Sequence, residues 1–254
     1  MRRIVQVSCL TVTLGTAERL PMLARAIAAY AAQSLGDREL VIVADGTGDA
    51  VAAVVASFGR DDIRIVRMKP GLTLGALRNR SVAAARGAIL CQWDDDDLHH
   101  PDRLAAQLAA LGTADAVVLQ DVMLLDAAAR EMRWANWTAA PGRGHPGTLL
   151  VRRAALPAYP ETGPEARLGE DLAVLAELDA ACRVERLAGA AQLYVYVSHG
   201  LNSWSVAHHA MLADTLAISR GLLLRREAAL RAGLAPFGLA GMRVMGGNGH
   251  AFTL

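Results

Sequence analysis

Four consecutive aspartates, Asp94 to Asp97, follow an apolar stretch that ends in Trp93. Adjacent carboxylates repel one another, so at neutral pH the run costs stability unless solvent or a cation neutralises it. A hard divalent ion such as Mg2+ or Mn2+ suits the run. Such ions prefer oxygen ligands and commonly take one or two carboxylates, while phosphate oxygens of a substrate complete the shell. A solvated acidic loop or a helix start before Pro101 would also use aspartate, but capping occupies one side chain rather than four. Asp97 is the member assigned to capping.

Other groups could share chemistry with this run. Glu170 and Asp171 follow Gly169 at the start of an apolar helical segment. By itself this is what a plain helix start looks like, and the helix dipole there keeps a carboxylate ionised. His199 can ligate a cation or hydrogen-bond a phosphate, since imidazole does either. His99-His100 and His208-His209 are not metal pairs, because neighbours on a helix point about 100° apart. Both pairs are assigned to the surface or to a substrate site. Trp134 and Trp137 are read as packing or rim residues.

The elements that must position these groups alternate in the first half of the chain. Strand-like Val5 to Leu14 precedes a helical pattern over Leu20 to Ser34, and strand Glu39 to Asp45 precedes a helix near Asp49 to Phe58. Strand Ile63 to Arg67 leads to a helix over Leu74 to Arg86, and strand Ala88 to Trp93 runs straight into the aspartates. This alternation implies an α/β fold, a mostly parallel sheet flanked by helices, whose ligands sit beyond the carboxyl ends of the strands. Asp45 and Asp94 to Asp97 fall there. Further on, the reading is a helix to about Leu111, an apolar strand Ala116 to Leu125, and a Trp-containing segment Glu131 to Thr138. A Gly/Pro/His-rich stretch, Pro141 to Gly147, precedes a strand Thr148 to Val151. A helix Glu170 to Ala181, a strand Leu193 to Val197, one long amphipathic helix Ser205 to Arg231 and a Gly-rich tail complete the pattern.

Composition excludes several classes. The 254 residues are 53% hydrophobic, enough for a full core and too many for disorder. The formal charge of +1 leaves no broad basic field, so no nucleic-acid partner is expected. No apolar run reaches membrane-span length, and Met1 to Ile4 is followed by Gln6, Ser8 and Thr11 rather than a leader's apolar core. Cys9, Cys91 and Cys182 are odd in number and far apart, which favours reduced thiols and a cytoplasmic protein.

Several segments together resemble the inverting glycosyltransferases of family 2, which have the GT-A fold. Thr16-Ala17-Glu18-Arg19 stands where the family has a Thr-Tyr-Asn-Arg-like turn, and only its ends agree. Ala44-Asp45-Gly46-Thr47 is similar to Asp-Asp-Gly-Ser. Leu74 to Asn79 looks like the family's Gly-x-x-x-Arg-Asn segment. Asp94 to Leu104 is similar to Asp-x-Asp-Asp-x-x-x-Pro-x-x-Leu. Gly169-Glu170-Asp171 resembles the Glu-Asp motif, and His199, Asn202 and Trp204 resemble the late His-x-x-Asn-x-Trp pattern.

The resemblance implies a nucleotide-diphosphate-sugar donor, best guessed as UDP-linked, bound by Thr16, Arg19, Asp45, Arg78, Asp94 and Asp95. Asp96, Asp94 and His199 would hold Mn2+ or Mg2+. Asp171 would be the base that deprotonates an acceptor hydroxyl, with Glu170 beside it. The acceptor, whether a glycan, a lipid-linked group or a small molecule, is left open. Residues 1–112 are expected to form the nucleotide-sugar portion, 113–204 a smaller acceptor-side lobe, and 205–254 a C-terminal helix and tail, all within one GT-A domain. The arginines of that helix raise peripheral membrane contact as an option beside a solvated face or an oligomer contact. A sugar nucleotidyltransferase is one alternative, although Leu14 to Arg19 lacks a Gly-rich phosphate cradle. A non-catalytic binding module on a transferase fold is another.

Overall fold

A computed structural model describes residues 5–46 and 48–254. Met1 to Ile4, and Thr47 of the turn after the second strand, lie outside the described residues. The first half runs β1 (Val7–Thr13), α1 (Leu20–Ala31), β2 (Arg38–Asp45), α2 (Asp49–Ala56), β3 (Ile63–Met68), α3 (Leu74–Ala84), β4 (Ile89–Gln92), β5 (Leu98–His99) and α4 (Arg103–Leu111). Then come β6 (Ala116–Leu119), β7 (Asp121–Asp126), β8 (Glu131–Asn136), β9 (His145–Arg152), α5 (Glu170–Ala181), β10 (Val184–Leu187) and β11 (Tyr194–Ser198). The chain ends in α6 (Val206–Leu216), α7 (Arg220–Arg225), α8 (Glu227–Leu234), β12 (Arg243–Gly246) and β13 (Gly249–Thr253).

Two sheets form. The first has the order β10-β6-β9-β4-β1-β2-β3 and is parallel except for β9, which runs against β4 and β6. Its strands alternate between two cores, as a sheet covered on both faces requires. Cys9, Ile42 and Cys91 pack with Leu23 and Ile27 of α1 and Leu104 of α4 on one face, whereas Leu10, Val41 and Leu90 pack with Val174 and Leu178 of α5 on the other. The second sheet has the order β13-β12-β8-β7-β11-β5. One face holds Leu223 of α7 and Leu230 of α8 against Met123, Trp134 and Val195, and the other packs Leu216 of α6 against Val122, Ala135 and Trp137.

The turn carrying Asp94 to Asp97 joins the first sheet to the second, since β4 belongs to one and β5 to the other. It emerges at the carboxyl end of β4, as the alternation of the sequence implied. Residues 113–204 contribute to both sheets, β6, β9 and β10 to the first and β7, β8 and β11 to the second, so that portion is woven through the domain.

Three expectations about elements are corrected. The apolar run Ala116 to Leu125 is two strands in different sheets, and the chain changes sheet at Gln120, whose carbonyl accepts from Trp137 N at 2.8 Å. The long helix over Ser205 to Arg231 is three helices. Ala217 turns extended (ψ 129°) and bridges to Ala135, Ile218 N donates to Trp134 O at 3.0 Å, and the Ser219 side chain caps α7. The Gly-rich tail is a hairpin in which Gly246 pairs with Gly249 across Gly247-Asn248. Gly249, at φ +119°, supplies the backbone conformation on the return side of this turn that a side chain would resist. No helix among the described residues is long and apolar enough to cross a membrane.

Gly75 decides how the proline-rich loop docks. A Cβ there would lie 1.9 Å from Pro160 O, and backbone cannot yield as a side-chain tip can. The loop thereby lies flat on α3, where Asn79 Nδ2 donates to Tyr159 O at 2.9 Å and Asn79 Oδ1 accepts from Tyr159 N at 2.9 Å. Gly75→Ala is expected to lower stability by about 1–3 kcal/mol through this overpacking. Urea unfolding measures it, and an unchanged midpoint would show that the loop is not pinned.

Candidate active site

A cavity of about 980 Å3 opens where the carboxyl ends of β1 and β4 meet the starts of α5 and β9 and the inner face of α6. Asp94 to Asp97 line one end, and Glu170 and Asp171 line the wall beside them. Residues distant in sequence are thus brought to one site.

The four aspartates have four different environments. Asp94 accepts from Arg78 Nη1 and Nη2 at 3.2 Å and from Gln92 Nε2 at 2.9 Å. Asp95, fully buried, is paired with the Arg19 guanidinium, and burial together with Asp96 still lifts its carboxyl to about 6. Asp96 receives Arg19 Nη2 at 3.1 Å and His199 Nε2 at 3.1 Å. Burial works against its charge, but the His199 hydrogen bond and the Arg19 charge prevail and hold it below the usual carboxylate range. Asp97 caps nothing. It is buried, accepts from Val197 N at 2.9 Å and from the Tyr194 hydroxyl, and is pushed well up by burial and by Asp96 and Asp94. It fastens the turn to β11. The cap position of α4 belongs to Asp102 instead.

Glu170 and Asp171 part ways although adjacent. Glu170, 2% exposed, accepts from Arg78 Nε at 2.6 Å, so its side chain turns inward and serves as the second carboxylate on one arginine. Among the described residues Asp171 accepts a local bond, from Leu172 N at 2.8 Å, and it faces the cavity. The helix start does not keep it low. Burial first, then Glu170 and Asp94, raise it to about 7 against the opposing pull of Arg78. A carboxyl at that value can take a proton near neutral pH.

A buried brace holds the turn from beneath. His99 Nε2 lies 3.0 Å from Asp94 O, and His99 Nδ1 lies 2.6 Å from Arg103 Nη1. Arginine only donates, so Nδ1 accepts and Nε2–H donates to the carbonyl. Burial and then Arg103 hold His99 far below the usual imidazole range, hence neutral. Arg103, with no exposed surface, also donates to Gln92 O at 3.0 Å and lies 5.3 Å from the centre of the Trp93 ring. His99 is therefore structural, not a surface residue. His209 is also buried, 4.7 Å from the Tyr196 ring, whereas His208 lines the cavity.

Of the residues singled out in the sequence, the cavity gathers Arg19, Arg78, Asp94, Asp95, Asp96, Glu170 and Asp171 on its walls. His199 stands behind them, bonded to Asp96. Thr16 is exposed and does not line the cavity. Asp45 ends β2 away from it, with its Oδ1 buried and without a hydrogen-bond partner among the described residues. Asp96 and His199 are brought together as a candidate ion pair of ligands, but Asp94 is not. Among the described residues no three His, Cys, Asp or Glu side chains converge as a metal site. The Asn202 of the late motif is a positioning group: its Oδ1 accepts from His199 N at 2.9 Å and its Nδ2 donates to Val197 O at 2.8 Å. Tyr194 and Arg103 were missed, and nothing in their spacing marks them. Trp137, read as a packing or rim residue, is buried at the cavity wall, and Trp134 is core.

Residues 11–161 match the family model described as Glycosyl transferase family 2. The chain belongs to glycosyl transferase family 2. The match spans the aspartate turn, β9 and the start of the proline loop. It is 35% identical over 105 residues to the succinoglycan biosynthesis protein ExoO of Rhizobium meliloti, a stretch covering 40% of this chain and 30% of that protein. This family 2 chain therefore spans about a third of that relative's length. S. aureus TarS 1–349 in complex with UDP superposes with a TM-score of 0.62 at 16% identity, covering 90% of this chain and 73% of that one. The mannosyltransferase PcManGT from Pyrobaculum calidifontis, in complex with GDP-Man and Mn2+, gives 0.57 at 16% identity, covering 93% and 65%. At such identities the likeness shows the shared GT-A fold.

Arg78 is the keystone of the site's charge balance. Arg78→Ala leaves Glu170 and Asp94 facing each other without their cation, and a loss of about 3–5 kcal/mol is expected from a broken buried pair. Adding Glu170→Gln should restore part of it, because the stranded charge is removed. Chemical unfolding of the single and double variants gives the comparison, and a double variant no more stable than the single would contradict the pairing.

Proposed function

We propose that this glycosyltransferase moves a sugar, with inversion, from a nucleotide-diphosphate sugar to an acceptor hydroxyl, using Asp171 as the base. The observation that carries the reading is that Asp171, with its carboxyl near 7, shares one cavity wall with the arginine-bound aspartate turn. Inverting transfer asks for this division: a base on one side of the anomeric carbon and positive charge for the leaving diphosphate on the other. Asp171 takes the proton of the acceptor hydroxyl. Arg78 holds Glu170 and Asp94 in place and presents guanidinium charge to the cavity, and Arg19 does the same at Asp95 and Asp96. UDP is the favoured nucleotide by family resemblance and by the UDP complex of the TarS neighbour. The buried Oδ1 of Asp45, without a hydrogen-bond partner among the described residues, is a ready acceptor for a nucleobase N–H.

A divalent ion fits the donor set. Asp96 and His199 offer one carboxylate and one imidazole, the kind of sparse protein shell that Mg2+ or Mn2+ completes with phosphate and water. When bound, the ion would neutralise charge on the leaving diphosphate. His199 Nδ1 accepts from Leu201 N at 3.2 Å, so its Nε2 carries the proton directed at Asp96. Ligation through Nε2 therefore requires the other tautomer and gives up the Leu201 bond. Asp94, already committed to Arg78 and Gln92, would support the ion through that arginine network rather than by direct contact.

Titration calorimetry with UDP and Mn2+ should show binding to wild type and a large loss in Asp96→Ala. Absence of nucleotide binding by wild type, or equal binding by the variant, would sink the donor site. Asp171→Asn should keep nucleotide binding and lower transfer by about 10^2–10^4-fold, the range of general-base contributions. Because the base works when ionised and its free-enzyme value is about 7, kcat/KM should climb with pH up to about 7 and then level. Full transfer by Asp171→Asn would remove the base assignment alone.

A further inference from the structure

The carboxylate end accounts for only part of the cavity. Away from Asp171 the walls are Leu172 and Leu175 of α5 and Met211, Leu212 and Leu216 of α6, with Trp204 beside them. Trp204 overhangs the start of α5: a Cβ placed on Gly169 would lie 3.8 Å from its ring and 3.9 Å from Leu172. Its ring stacks on His208 with centroids 4.2 Å apart. Single exposed leucines need no explanation, but Leu168, Leu172 and Met211 are exposed together on this rim, at 37%, 37% and 49%.

Charge and hydrogen bonding restrict what can enter. The arginines lining the cavity, Arg19 and Arg78, are both committed to carboxylates, and the acidic groups Asp94, Glu165 and Asp171 face the same space. An anionic acceptor reaching Asp171 beside a bound donor would meet these carboxylates, since the charge of Arg19 and Arg78 is directed to the donor diphosphate at the aspartate turn. His145 and His208 do not supply one, since burial lowers both, His145 to about 3. A bare oligosaccharide fares little better along α6, where His208 is stacked under Trp204 and Thr215 stands among Met211, Leu212 and Leu216. Sugar hydroxyls pressed there would lose water without gaining partners. A volume of about 980 Å3 accommodates a transferred sugar together with a further group.

We infer that the acceptor is a neutral alcohol whose hydroxyl meets Asp171 and whose apolar body occupies the cleft between α5 and α6. This rests on the transferase reading, which supplies the role of Asp171. The cleft sorts acceptors by apolar area, and the aspartates repel anionic ones.

Three probes that differ in one feature each decide the matter in wild-type protein: methyl glucoside, octyl glucoside below its micelle concentration, and octyl phosphate. Tryptophan fluorescence, reporting from Trp204 and Trp137, follows binding. Octyl glucoside should bind at least about tenfold tighter than methyl glucoside, given the area of its added methylenes. Octyl phosphate should bind at least about tenfold more weakly than octyl glucoside, an anion facing carboxylates. Leu172→Glu and Met211→Glu, at exposed positions where a charge is tolerated, should each erase the octyl advantage, with melting curves verifying the fold. Equal binding of the octyl and methyl glucosides, preference for octyl phosphate, or an octyl advantage that survives both variants would overturn the inference. The UDP titration stands apart. Nucleotide binding without octyl preference removes only this acceptor class, and octyl preference without nucleotide binding removes the transferase role while leaving an apolar ligand site.

Discussion

Everything in the site depends on neutralising four consecutive carboxylates at the point where one sheet hands the chain to the other. No local segment could do it. The partners come from three places: the guanidinium charges of Arg19 after β1 and Arg78 on α3, and the Nε2–H of His199 after β11. Asp97 is handled differently, through Tyr194 and the Val197 amide on β11. Each partner fastens another element to the turn, so the same interactions that make the charges bearable also lock the two sheets into one body. This is the sense in which a costly cluster specifies geometry: buried charges tolerate few arrangements.

That neutralisation also sorts the carboxylates by task. Asp96, between Arg19 and His199, stays ionised and has an imidazole neighbour. Glu170 is tied to Arg78 and is spent on structure. Asp171, one residue away, receives no direct cation and is lifted to about 7 by burial and by the acids around it. Two adjacent carboxylates thus acquire opposite roles from their environments, one holding the arginine and the other left able to accept a proton. The brace of Arg103 and His99 beneath Asp94 keeps this arrangement from relaxing, because a neutral His99 of fixed tautomer must donate to the turn's carbonyl.

Local signals in the sequence were reliable where one element answered to one environment. The βα alternation, the buried runs of β1, β2 and β4 and the place of the aspartates at a strand end all emerge from period and punctuation. The signals failed where one apolar run served two partners. Ala116 to Leu125 reads as one strand, yet Gln120 and Asp121 mark the change of sheet: Asp121 Oδ1 accepts from Trp134 Nε1 at 2.8 Å and Oδ2 from Gly189 N at 2.6 Å. Ser205 to Arg231 keeps helical periodicity throughout, and it is broken by the pairing of Ala217 with Ala135 in β8 and by the non-helical backbone of Arg226 between α7 and α8, although Ser219 was a legible cap.

By itself, then, the sequence determined the family, the alternating α/β order, the acidic turn at the end of β4 and the carboxylate pair at the start of α5. Residue type and spacing are enough for these, since they record short-range chemistry and periodic burial. Only the tertiary structure decided which aspartate does what. It assigned Asp97 to β11 rather than to a helix cap, set Glu170 on Arg78, raised Asp171, buried His99 and opened an apolar cleft beside Asp171. The reason is physical: a carboxylate's proton affinity and a cavity's polarity are fixed by the groups within a few ångströms of it, and here those groups come from segments far apart along the chain.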